Sequence, residues 1–123
     1  MTSALEAQFD RCWPLLRPAL EMHQEDTREG LRAEILSGRA QLWPSEDCAI
    51  VTQCVMTDGV GSIHAWLGGG RLQGMLALRP GIEAWGRAMG CAFATIDGRR
   101  GWERLYRRFG YEPHGGLLRK ALS

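Results

Sequence analysis

Between residues 81 and 113 the apolar positions change period more than once. Ile82, Trp85, Gly86 and Met89 fall at i, i+3, i+4 and i+7, the spacing of one helical face, while Glu83 and Arg87 form an i,i+4 pair on the other. Gly90 ends that helix. Cys91 to Ile96 is apolar or small at every position, which suits a strand covered on both faces of a sheet. Asp97-Gly98 turns the chain. Trp102, Leu105, Tyr106 and Phe109 then repeat the helical spacing, with Glu103, Arg104, Arg107 and Arg108 outward and Gly110 as a C-terminal cap. The pattern predicts two amphipathic helices flanking one buried strand, with Trp85, Met89, Trp102, Leu105 and Phe109 turned inward.

Upstream, Leu5, Phe9, Cys12, Trp13, Leu16 and Leu20 recur at steps of three and four, so the N-terminus is helical in tendency. Pro14 and Pro18 are expected to interrupt it, Pro14 opening a second piece where its missing N–H does no harm. Asp26-x-x-Glu29 has the spacing of a capping box, and Leu31 with Ile35 marks the inner edge of a helix that stops at Ser37-Gly38. Strand signals follow. Arg39 to Trp43 alternates, Pro44-Ser45-Glu46-Asp47 turns, and Cys48 to Met56 is the most strand-like run of the chain. Asp58-Gly59 favours a tight hairpin, from which Val60 to Leu67 returns with Ile63, Ala65 and Leu67 on one face and Ser62, His64 and Trp66 on the other.

Gly68-Gly69-Gly70 closes this antiparallel meander, and a helical segment from near Arg71 is expected to break at Pro80-Gly81 before resuming. Because a long helical crossover joins them, Val60–Leu67 and Cys91–Ile96 should lie parallel and adjacent. A turn at Pro113 to Gly116 leads into a last strand, Leu117 to Leu122. The expected architecture is α/β with a mixed sheet: an antiparallel meander, a helical crossover to a parallel strand, and a terminal hairpin. With 123 residues, 45% of them hydrophobic, residues 1–123 suit a single domain.

A formal net charge of +1 gives no global attraction to nucleic acid or to an anionic membrane. The opening residues lack a basic segment followed by an apolar core, and no apolar run nears the roughly 20 residues of a membrane span. The expected setting is cytoplasmic. Cys12, Cys48, Cys54 and Cys91 form no C-x-x-C pair, so zinc and dithiol redox chemistry gain little support, and a free thiol in a strand behaves as a small hydrophobe.

Leu105-Tyr106-Arg107-Arg108-Phe109-Gly110-Tyr111 resembles the late LYxxxGF/Y segment of the GNAT (GCN5-related N-acetyltransferase) family, and the helix, Gly-Cys and strand from Trp85 to Ile96 precede it in the family's order. The element order from about residue 25 onward is similar to that fold. Ser37–Trp43 (SGRAQLW) and Gly98–Arg104 (GRRGWER) resemble the small GNAT-like proteins of tailed phages and prophages. The resemblance implies acetyl-CoA as cofactor, an amine as acyl acceptor, or, where catalysis has been lost, contacts with a phage or host protein.

In that family the CoA pyrophosphate rests on backbone N–H groups at the start of the crossover helix, where unpaired amides and the helix dipole favour anions. The resemblance assigns this role to the segment Arg71-Leu72-Gln73-Gly74-Met75-Leu76, matching Q/R-x-x-G-x-G/A except that Leu76 stands where Gly or Ala is wanted. Leu67, Arg71, Leu72, Gly74 and Leu76 are the implied cofactor residues. The same glycines also suit a plain strand exit that holds no ligand.

Tyr106 aligns with the family's general acid, since a phenol with a pKa near 10 is protonated at neutral pH and can donate to a departing thiolate. It equally suits a core position of its helix. His64, the histidine of the strand bordering the family's active-site gap, is a candidate base with an ordinary pKa near 6.5, or a structural residue. Arg99, Arg100, Arg104, Arg107 and Arg108 form the local basic cluster. The aromatic residues of that helix point inward, so the cluster reads as a solvated face more than as a nucleic-acid interface.

Overall fold

The computed structural model describes residues 3–23, 25–98 and 100–122. Helices α1 (Ala4–Glu21) and α2 (Arg28–Leu36) precede strands β1 (Ala40–Pro44), β2 (Cys48–Thr57) and β3 (Val60–Gly70). Helix α3 (Leu72–Ala88) crosses to β4 (Phe93–Asp97), and α4 (Arg100–Tyr106) runs into a 3-10 turn at Arg107–Phe109 before the hairpin of β5 (Glu112–His114) and β6 (Leu117–Ala121). The strands form one mixed sheet in the order β1-β2-β3-β4-β6-β5. This is the expected α/β architecture, meander, crossover and terminal hairpin included.

Two compact units share these elements, one of Met1–Thr52 with Leu67–Arg79 and one of Gln53–Trp66 with Pro80–Ser123. In the first, Ser3 caps α1 through a capping box in which Glu6 N–H donates to Ser3 Oγ at 3.1 Å and Ser3 N–H to Glu6 Oε1 at 3.5 Å. The helix runs unbroken through Pro14 and Pro18, contrary to the expected interruption. Each proline forfeits one ladder bond, but the buried stripe of Phe9, Cys12, Leu16 and Leu20 extends across both, and burial of that face outweighs the loss. Thr27, not Asp26, caps α2: its backbone is extended and its Oγ1 accepts from Gly30 N–H at 3.0 Å.

The helix ends at Ser37 and Gly38, as expected, with Gly38 at φ 85°. Between β1 and β2 the fully buried Thr52 donates to Gln41 Oε1 and accepts from Trp43 Nε1, both at 2.9 Å. Further along, a Cβ on Gly69 would lie 1.7 Å from the carbonyl oxygen of Leu15, so the third strand passes α1 only because that residue has no side chain.

The second unit holds the hairpin and the parallel pair. Asp58 and Gly59 sit at φ 52° and 79°, the positive values of a two-residue hairpin turn. β4 lies parallel to β3 with Ser62↔Phe93, Ile63↔Ala94 and His64↔Thr95 in register, and antiparallel to β6 from Phe93↔Ala121 to Asp97↔Leu117. Ile63, Ile82, Ala94, Ile96, Tyr106, Tyr111, Leu118 and Leu122 are buried here. Gly86 lets α3 press on β3, since a Cβ there would meet Ile63 Cγ2 at 2.6 Å.

Several expectations for this unit need correction. α3 does not break at Pro80-Gly81 but continues to Ala88. Met89 is 60% exposed because it lies past the last helical residue, where the chain swings through Gly90 (φ 87°) and Cys91 N–H returns to Gly86 carbonyl oxygen. Glu83, placed on the outer face by the pattern, is only 5% exposed. Its carboxylate accepts from Tyr111 Oη at 2.9 Å and from Lys120 Nζ at 2.6 Å, while Arg87 donates to the Leu122 carbonyl instead.

Trp85, Trp102, Leu105 and Phe109 are half-buried, because α4 closes after seven residues and its tight continuation turns the stripe. The fourth strand begins at Phe93, Ala92 bridging by N–H to the Gly61 carbonyl and by its own carbonyl to Leu122 N–H. The predicted Pro113–Gly116 turn contracts to Gly115-Gly116, and Glu112–His114 forms a strand.

Candidate active site

The parallel pairing of β3 with β4 covers three registered positions and ends at His64↔Thr95. Beyond that point Ile96 and Asp97 stay registered with Leu118 and Leu117 of β6, and among the described residues the register with the third strand goes no further. A fork between parallel strands leaves main-chain groups and a gap into which side chains from both can project. His64 and Thr95 stand at its root. In a parallel pair residues in register share a face, and the two side chains meet, His64 Nδ1 lying 2.8 Å from Thr95 Oγ1.

Thr95 is buried and His64 half-buried. Burial holds the imidazole below its usual pKa, opposed by the negative charge of Asp97. The ring is therefore neutral at pH 7. With Nδ1 protonated and donating to Thr95 Oγ1, Nε2 carries the free lone pair of a general base.

Tyr106 is buried on α4 at the centre of an aromatic cluster. Its ring centroid lies 5.7 Å from Trp102, 6.2 Å from Phe109 and 5.1 Å from Tyr111, the last two edge-on. These contacts fix the phenol's plane, a requirement for a positioned acid as much as for a core residue.

The implied cofactor segment belongs to the other unit. Leu67 is buried in β3, and Leu72 is exposed. Met75 N–H donates to the Arg71 carbonyl at 3.1 Å, so the amides of Leu72, Gln73 and Gly74 precede the helical ladder and suit an anion. Arg71 adds an exposed guanidinium beside them. Leu76 is the fifth residue of α3, half-buried and one turn beyond these amides.

The glycines have a packing reason of their own. A Cβ on Gly74 would meet Cys48 Sγ at 2.7 Å and Asp47 Oδ1 at 2.9 Å, and one on Gly70 (φ 98°) would meet the Asp47 carbonyl at 2.3 Å. The Asp47 carboxylate thus lies against the first turn of α3, with Arg71 Nη1 3.5 Å from its Oδ2. Amides and arginine fit a pyrophosphate, and the adjoining carboxylate opposes it with a like charge.

Of the basic cluster, Arg107 is paired with Glu103 at 2.9 Å, and Arg104 and Arg108 are exposed. Arg99 and the side chain of Arg100 lie outside the described residues. All four cysteines are free thiols; Cys12, Cys48 and Cys91 are buried, whereas Cys54 is exposed and hydrogen-bonds the Cys91 thiol. Among the described residues no group of three or more His, Cys, Asp or Glu side chains is placed to hold a metal, and no helix is long and apolar enough to cross a membrane.

Sequence reasoning missed Thr95 and Asp97, and also Glu83 with its partners Tyr111 and Lys120. A predicted parallel pairing of 60–67 with 91–96 puts position 64 near the later strand, but only the register selects Thr95.

No protein-family model and no curated protein sequence matches the chain. Among solved structures it is similar to the crystal structure of an acetyltransferase of the GNAT family from Listeria monocytogenes, with a TM-score of 0.62 and 13% identity over 98% of this chain and 92% of that one. At such identity the likeness is one of fold. The chain has a GNAT-type fold.

Proposed function

We propose that this chain is a CoA-dependent N-acyltransferase whose chemistry takes place at the fork of β3 and β4. The observation that carries the reading is the His64–Thr95 hydrogen bond at the last registered position of the parallel pair, which holds a neutral imidazole where the strands part. Bound acyl-CoA supplies an activated acyl carbon and a thiol leaving group. His64 Nε2 accepts the proton that the amine nitrogen loses as its bond to the acyl carbon forms, and Thr95 steadies the imidazolium's orientation. Tyr106 donates the proton that the departing sulfur takes as the carbon–sulfur bond breaks. In the other unit, taken by itself, Arg71 and the amides of Leu72, Gln73 and Gly74 suit a pyrophosphate.

Thermal unfolding with acetyl-CoA tests binding, because a ligand of the folded state alone stabilises it by RT ln(1 + [L]/Kd), about 2.7 kcal/mol at a hundredfold excess over Kd. Thiol release on addition of a panel of primary amines tests transfer. Tyr106→Phe should lower turnover and leave the thermal shift nearly intact. No shift at millimolar acetyl-CoA, in the parent or in Leu76→Gly, overturns the proposal.

The carboxylate of Asp47 beside the α3 amides favours a second reading, in which the fold is kept for contacts with other proteins and the phosphate site has decayed. Under that reading Asp47→Asn restores no binding of CoA.

A further inference from the structure

The second unit holds a cluster of sulfur atoms that the acyltransferase reading does not use. Cys54 and Met56 lie two residues apart in β2, so both side chains leave the same face of the strand. Cys91, on the connection from α3 to β4, is hydrogen-bonded through its thiol to that of Cys54. Gly61 of β3 brings the third sulfur in: a Cβ there would stand 3.3 Å from Met56 Sδ and 3.8 Å from Cys91 Sγ. The space of one missing methyl group thus borders a thioether and a thiol together. All four residues belong to the same compact unit.

The main chain fixes the inner member of the cluster. Cys91 N–H donates to the Gly86 carbonyl at 2.9 Å, and the next residue, Ala92, donates to the Gly61 carbonyl at 2.8 Å and accepts from Leu122 N–H at 2.9 Å. Cys91 is 8% exposed, whereas Cys54 is exposed and Met56 is 68% so. One sulfur is therefore held in place, and the other two line an approach from solvent.

Donor chemistry selects the occupant. Two thiols, which bind as thiolates, and a thioether make a soft ligand set of the kind that favours copper(I). Structural zinc takes four ligands from thiolate, imidazole and carboxylate, and among the described residues no histidine or carboxylate completes a group of three with these thiols. Magnesium and calcium require oxygen. The S–H···S hydrogen bond already gathers two sulfurs around one proton, the place that a soft cation takes.

We infer that Cys54, Met56 and Cys91 form a copper(I) site, with Gly61 leaving open the space beside Met56 Sδ and Cys91 Sγ. Binding forms two copper–thiolate bonds and one copper–thioether bond; the thiol protons pass to solvent, and no electron is transferred. Desolvation and the neighbouring Cys91 thiol hold the Cys54 pKa above its ordinary value, so its proton is in place at pH 7 until the metal displaces it, and affinity rises with pH.

Anaerobic titration with copper(I) in ascorbate, against a chromogenic copper(I) chelator and with far-UV circular dichroism on every variant, tests this. The parent should hold one copper per chain, and copper X-ray absorption should show a shell of sulfur alone. Removing a ligand should cost at least as much as removing a ligand's supporting partner, so Cys54→Ser, Cys91→Ser and Met56→Leu should each weaken binding by about tenfold or more. Gly61→Ala, which fills the space, should weaken it too. Cys54 and Met56 are exposed, so their variants decide the matter even where Cys91→Ser, at a buried position, fails to fold. Parent-like affinity in Cys54→Ser, Met56→Leu or Gly61→Ala would put the metal elsewhere, at Cys12 and Cys48 for instance, and overturns the inference. So would a parent that binds no copper, or one that loses two free thiols and retains no metal, the mark of a Cys54–Cys91 disulfide.

Discussion

Replacing Glu83 by Ala should be among the most damaging single changes to this chain. The residue is 5% exposed, and among its contacts Tyr111 Oη donates to the carboxylate at 2.9 Å and Lys120 Nζ at 2.6 Å. Breaking a buried ion pair from one side costs about 3–5 kcal/mol because the remaining charge has lost its counterion. The Lys120 side chain is 24% exposed, so water recovers part of that and the lower end, about 3 kcal/mol, applies. The stranded Tyr111 hydroxyl adds about 1 kcal/mol.

The two donors share one acceptor, so the terms do not simply add, and a total of about 3–4 kcal/mol is expected. For a chain of this length that corresponds to a fall in Tm of roughly 10–15 °C. Urea denaturation at pH 7, with m compared between parent and variant, supplies the free energy directly. Lys120→Met made alone and combined with Glu83→Ala closes a double-mutant cycle and isolates the pair. Had Glu83 lain on the solvent face beside Arg87, as the helical pattern places it, the loss would be about 0.3–0.5 kcal/mol. A measured loss below about 1 kcal/mol would therefore refute the buried network.

Stability should also carry a histidine signature. The pKa of His64 is lowered in the folded chain by burial, so the unfolded chain binds more protons as pH falls through the ordinary range near 6.5. The stabilisation is complete above that range and is lost as pH falls toward the lower folded pKa; His64→Gln should flatten the acid limb of stability against pH, and parallel limbs would refute it. Asp47→Asn should tighten CoA two- to fivefold by calorimetry, the worth of about 0.5–1 kcal/mol of relieved repulsion at a helix N-terminus; unchanged or weaker binding would place the phosphate elsewhere. Gly69→Ala should abolish cooperative folding, read by circular dichroism, since its Cβ would fall 1.7 Å from the Leu15 carbonyl oxygen.

Local chemistry determined much of the element order. Asp58-Gly59 specified a hairpin because its backbone adopts positive φ without help from elsewhere, and the long helical stretch after Gly70 implied a parallel neighbour because a crossover of that length cannot return antiparallel to an adjacent strand by a tight turn. Ser37-Gly38 and Gly110 ended their helices for the same local reason. The likeness of Leu105–Tyr111 to the GNAT family pointed to the fold that the solved structure from Listeria shares.

Tertiary structure decided what local preference left open or opposed. Pro14, Pro18 and Pro80 each disfavour helix, yet α1 and α3 run through them; along α1 the packing of a continuous apolar face outweighs the lost ladder bonds. Helical spacing put Glu83 outside and Met89 inside. The opposite holds because a buried carboxylate is stable when Tyr111 and Lys120, 28 and 37 residues away, arrive to satisfy it, and no periodicity encodes that arrival. The meeting of His64 with Thr95 likewise depends on strand register, which is set by how whole faces pack; a slip of one residue would turn the threonine to the other side of the sheet and leave the imidazole without its partner.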